Sequence, residues 1–137
     1  MTIQVWRHAM APSLADFEEL AAEAWERLPD HFRSACGSVA IRIEDWPTDD
    51  ILDDLEIESP YDLMGLYNGV SLDKKSVGDQ PTMPDMVLLY RRPILDYWTE
   101  HEEALGMIIS HVLIHEIGHH FGFSDADMEE IERQVDA

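Results

Sequence analysis

The stretch His115-Glu116-Ile117-Gly118-His119-His120-Phe121-Gly122-Phe123-Ser124-Asp125 decides how the rest of the chain is read. Apolar residues fall on nearly every side from Leu105 to Ile117, which predicts a central, buried helix running into this stretch. On a helix, positions four apart lie one above the other, about 40° apart around the axis. His115 and His119 can therefore aim both imidazoles at one metal ion. Glu116 projects from the neighbouring face, within reach of a water held by that metal. Gly122 suits the left-handed C-cap that lets the chain leave the helix and curl back, so Asp125 can supply a third ligand. Two neutral imidazoles and one carboxylate suit zinc, with a fourth position left open. HExxH alone is a modest signal; a Gly three positions after the second His and an Asp three further on make it much sharper.

The surrounding chain is consistent with an ordinary globular protein. Its 137 residues, 45% of them hydrophobic, fit one domain spanning residues 1–137 with a sizeable core. Lys and Arg number 9 against 29 Asp and Glu, a formal net charge of -20. Such a surface repels nucleic-acid phosphates and anionic lipid, so neither is expected as a partner. Cys36 is the single cysteine, which excludes an internal disulfide and a cysteine zinc cluster. The first residues lack the apolar run of a signal peptide, and Ala104 to Ile114 is too short to span a bilayer. A soluble, cytoplasmic protein is the resulting expectation. Nothing in the sequence specifies the oligomeric state.

Other elements follow from periodicity and punctuation. Leu14, Phe17, Leu20, Ala21, Ala24, Trp25 and Leu28 form one apolar helical stripe, with Ser13 as N-cap and Pro29 as the stop. Val39, Ile41 and Ile43 alternate with polar or small residues as in a strand. A short acidic helix is expected around Asp49 to Leu55. Leu63–Tyr67, Asn68-Gly69 and Val70–Leu72 read as a hairpin, Lys74–Pro84 as a loop, and Met86–Tyr90 as a strand closed by Pro93. Thr99 and Glu102 have capping-box spacing and predict the start of the metal-motif helix there. A last helix is expected from about Asp127 to Val135. Strands and helices mix without a strict βαβ rhythm, which points to an α+β domain: a small sheet packed on helices, with the metal-binding helix at the centre.

The extended HExxHxxGxxD pattern in so short a chain resembles the minimal bacterial zinc metallopeptidase family, small zincin-like proteins. The resemblance runs from about Ser59 to Ile131. It includes Leu63-Met64-Gly65-Leu66-Tyr67-Asn68-Gly69 and Leu89-Tyr90-Arg91-Arg92-Pro93. It implies a compact zincin core with zinc on His115, His119 and Asp125, Glu116 as the catalytic base, and a peptide or protein as substrate. The alternative from another class is a zinc-binding interaction module of the same fold without turnover.

Further roles stay open at this level. Tyr67, Tyr90 and His120 are candidate oxyanion partners, and either Leu63–Tyr67 or Met86–Tyr90 is the edge that could pair with an extended peptide. His111, one turn before His115, is read as a hydrogen-bonded helix histidine or as a neighbour steadying the metal ligands. Arg91 and Arg92 are read as binding a carboxylate or phosphate or, in preference, as offsetting the acidic surface, the four tryptophans as core or edge packing, and Cys36 as a small buried hydrophobe.

Overall fold

The computed structural model describes residues 2–69 and 85–136. Seven helices and three strands are formed there: α1 (Ile3–His8), α2 (Leu14–Arg27), α3 (Asp30–Cys36), β1 (Val39–Glu44), α4 (Asp49–Asp54), β2 (Gly65–Asn68), β3 (Asp85–Tyr90), α5 (Arg91–Glu100), α6 (Leu105–Phe121) and α7 (Asp125–Asp136), with a 3₁₀ turn at Pro60–Asp62. The sheet has the order β1-β3-β2. β3 lies between β1, parallel to it, and β2, antiparallel to it. The result is the expected α+β layering.

Helix α6 carries the core. Ile109, Leu113, Ile114 and Ile117 are fully shielded from solvent, packed with Phe17 and Ala21 of α2 and with Val87 and Leu89 of β3. Each such aliphatic side chain contributes about 1.5–3 kcal/mol through removal from water. α6 is surrounded on most sides, and His115 and His119 are among its few exposed residues.

Caps explain most of the boundaries. Ser13 and Asp16 exchange side-chain and backbone hydrogen bonds in a capping box at the start of α2. At the end of α6, Gly122 adopts φ 77° and its N–H donates to the Gly118 and His119 carbonyls. The Phe123 N–H donates to the Gly118 carbonyl at 2.8 Å, which completes a Schellman turn. Ser124 and Asp127 form a second capping box, so α7 begins at Asp125, two residues before the expected start.

Not every expectation holds. α6 begins at Leu105 after Ala104, which has no side-chain cap. Thr99 instead belongs to α5, where its hydroxyl donates to the Asp96 carbonyl. β3 does end at Tyr90, before Pro93, which sits in the first turn of α5, where no N–H is required of it. β2 pairs with β3, while Val70–Leu72, the expected second arm of a hairpin, and the Lys74–Pro84 loop lie outside the described residues. Trp6 is exposed on α1, a helix that buries none of its residues. Arg91 is held between the Pro12 carbonyl at 2.7 Å and Asp45 at 3.1 Å, a structural tie rather than a loose surface charge.

Helix α7 returns antiparallel along α6. Gly118 marks their close approach: a Cβ there would lie 2.5 Å from Met128 Sδ and 2.9 Å from Met128 Cγ. Alanine is favoured over glycine within a helix by about 1 kcal/mol, whereas overpacking a core contact costs about 1–3 kcal/mol. Met128 is 1% exposed and has little room to yield. Gly118→Ala is therefore expected to lower stability by up to about 2 kcal/mol net, read as a reduced denaturation midpoint; a raised midpoint would show that Met128 simply moves aside.

Candidate metal centre

His115 and His119 of α6 border a cleft of about 380 Å³. One wall is α6 itself, through His111, Val112, His115, Glu116 and His119; the other is Asp62 to Gly65, leading into β2. The His115 and His119 rings stand 5.9 Å apart between centroids, tilted by 66°. Both are exposed.

Glu116 is half-buried beside them. Burial raises its carboxyl pKa above the ordinary value, and the nearby His119 opposes that shift. Gly65 brings β2 against this residue: a Cβ at Gly65 would lie 3.3 Å from Glu116 Cγ and 2.7 Å from Val112 Cγ1. Among the described residues β2 pairs with β3 alone. Among the described residues the edge strand that passes the cleft is thus β2, and β3 is interior to the sheet.

Asp125 occupies the first turn of α7, exposed, and its side chain makes no hydrogen bond or ion pair among the described residues. The structure brings His115, Glu116 and His119 to one cleft but does not gather Asp125 with them: among the described residues no three His, Cys, Asp or Glu side chains are grouped closely enough to hold a metal. A different carboxylate meets the motif. Glu132 Oε1 of α7 lies 2.7 Å from His115 Nε2. Although it is closed off from solvent, this oxygen makes no hydrogen bond of good geometry. A buried acceptor left in that state costs about 1–3 kcal/mol, and a cation beside it would remove the cost. By type, two imidazoles and a carboxylate are donors that a divalent metal such as zinc accepts, although these side chains are not gathered into a coordination sphere in this structure.

One turn further along, His111 Nε2 lies 2.9 Å from Asp136 Oδ2, a hydrogen bond that fastens the end of α7 to α6. Sequence reasoning missed both carboxylates. The signal was present in the spacing: His111 and His115 are four apart, as are Glu132 and Asp136, and two antiparallel helices present such steps to each other in reverse order.

The three candidate oxyanion partners fare differently. The Tyr67 hydroxyl donates to Asp85 Oδ2 at 3.0 Å, and burial with that bond holds its pKa well above the ordinary value, so its one proton is committed. His120 stacks flat on the Tyr67 ring, at 3.8 Å and 15°, in a packing role. Tyr90 is 1% exposed and cannot meet a ligand in the cleft without rearrangement.

A small mixed sheet covering a buried helix, with a histidine pair and a glutamate opening into one cleft beside an edge strand, defines a zincin-like architecture. The model of the zincin-like metallopeptidase family matches residues 36–135, most of the chain, and the protein belongs to that family. The family is one of zincin-like metallopeptidases, and zincin-like families generally bind zinc. A search of curated proteins found no match. No helix among the described residues is long and apolar enough to cross a membrane.

Proposed function

We propose that the protein is a zinc-dependent peptidase that hydrolyses peptide bonds in the cleft between β2 and α6. The observation that carries this reading is the convergence of His115, Glu116 and His119 on one cleft wall, with an edge strand passing Glu116. His115 and His119 would hold the metal, and the motif spacing nominates Asp125 as a carboxylate donor. When bound, zinc supplies Lewis acidity, lowering the pKa of water toward about 7 and polarising the scissile carbonyl. Glu116 accepts the proton of the attacking water on its carboxylate and passes it to the leaving amine. Its half-buried position raises its proton affinity in the direction that this exchange needs. β2 offers main-chain groups to an extended peptide, fixing the scissile bond over Glu116. The strongly acidic chain, with Asp62 and Glu103 on the cleft itself, favours substrates carrying positive charge.

Purified protein is expected to contain about one equivalent of zinc, lost in His119→Ala, and to cleave an unstructured peptide only when loaded. Elemental analysis beside a peptide-cleavage assay checks both. A protein that neither contains nor binds zinc would refute the reading, and tightly bound zinc without turnover on a broad peptide mixture would leave the non-catalytic module in its place.

A further inference from the structure

Glu132 lies outside the HExxHxxGxxD motif, yet it is the carboxylate that the fold places against His115. We infer that Glu132 is a metal ligand, donating Oε1 to the cation held by His115 and His119. This rests on the reading of that pair as a metal site. The contact is too poorly aligned for a hydrogen bond, while Oε1 is shut from water. A simple ion pair would direct the imidazole proton at the oxygen. An imidazole nitrogen and a carboxylate oxygen in contact without a hydrogen bond are both left as donors for one cation. Ligands at tetrahedral zinc stand about 3.4 Å apart, so the pair needs to part by less than about 1 Å from the 2.7 Å observed.

Helix register points the same way. The contacts His111 with Asp136 and His115 with Glu132 place α6 and α7 antiparallel, with Glu132 level with His115. A metal shared by His115 and His119 sits between their levels, about 3 Å along the axis from each, at 1.5 Å per residue. Glu132 is thus about 3 Å from the level of the metal. Asp125, seven residues earlier on α7, is about 7–8 Å from it on the far side. Side chains lean toward the N-terminus of their helix, which tilts Glu132 toward His119 and Asp125 away from the pair. The proposal concerns Glu132 alone and holds whether or not Asp125 binds beside it.

The test is metal binding by the full chain, with zinc affinity read by competition with a chromophoric chelator and the donor set read from the visible spectrum of the cobalt-substituted protein. Glu132→Gln is expected to raise the zinc Kd at least tenfold and to shift the cobalt bands, with an unchanged far-ultraviolet circular dichroism spectrum. Should that variant fail to fold, Glu132→Asp, which keeps the charge on a shorter arm, is expected to bind more weakly than the parent and to shift the same bands. An unchanged Kd, or a raised Kd with an unchanged cobalt spectrum, overturns the proposal, the latter because Glu132 would then brace His115 from outside the coordination sphere. His119→Ala separates the two levels: zinc retained at full affinity in that variant refutes the histidine site itself, whereas zinc lost there but unaffected by Glu132→Gln refutes only the role of Glu132.

Discussion

Glu116→Gln is expected to abolish measurable peptide hydrolysis while zinc stays bound. The amide has the shape of the carboxylate but cannot accept the proton of the attacking water, and losing a positioned general base costs about 10²–10⁴-fold in rate. The same substitution should leave the fold intact or firmer. Burial raises the Glu116 pKa, so the folded, metal-free state disfavours the ionised carboxylate relative to the unfolded chain. For an acid shifted in this direction, stability falls as pH rises through the unfolded and folded pKa values, and near neutrality the charged form is a net burden. The neutral amide removes that burden. Metal-free Glu116→Gln should therefore denature at the same or a higher midpoint than the parent at pH 7, and the gap should close at low pH. Hydrolysis surviving at more than about a tenth of the parental rate would remove Glu116 from the role of base.

The parts of this protein that could be read in advance are those in which one residue type performs one local task. Ser13 caps α2, Gly122 supplies the positive φ that ends α6, and the unbroken apolar character of Leu105 to Ile117 announces a helix enclosed by the core. The histidine pair was legible for the same reason, since a spacing of four on a known helix fixes a shared face. What escaped depends on partners distant in sequence. Thr99 and Glu102 satisfy a capping pattern, but Thr99 is already committed within α5. The pairing of β2 with β3 joins residues well apart in the chain, which no local pattern announces. Glu132 looked like one of many surface acids in a chain of charge -20. Only the antiparallel docking of α7, permitted by the absence of a side chain at Gly118, brings it to His115.

The same dependence on a missing side chain sets the other large expected effect, at Gly65. A methyl group there would stand 2.7 Å from Val112 Cγ1, 3.3 Å from Glu116 Cγ and 3.3 Å from the Leu88 carbonyl oxygen. The last of these belongs to the backbone of the interior strand and cannot turn aside. Val112 lies on the helix that carries the core, so α6 is the less yielding partner. Gly65→Ala must therefore lift β2 away from α6, at a cost of about 1–3 kcal/mol in stability. Because β2 is also the strand proposed to hold the peptide over Glu116, the displacement reaches catalysis: a shift of about 1 Å at a reacting centre costs on the order of 100-fold. Zinc affinity should scarcely change, since His115 and His119 stay on α6. Three measurements separate the causes. Denaturation is expected to show the stability loss, zinc titration to match the parent within a factor of about three, and peptide cleavage under conditions where the variant is folded to drop steeply. Full cleavage in a folded Gly65→Ala protein would mean that β2 has no part in positioning the substrate. A matching loss of zinc affinity would mean instead that the strand supports the metal ligands directly.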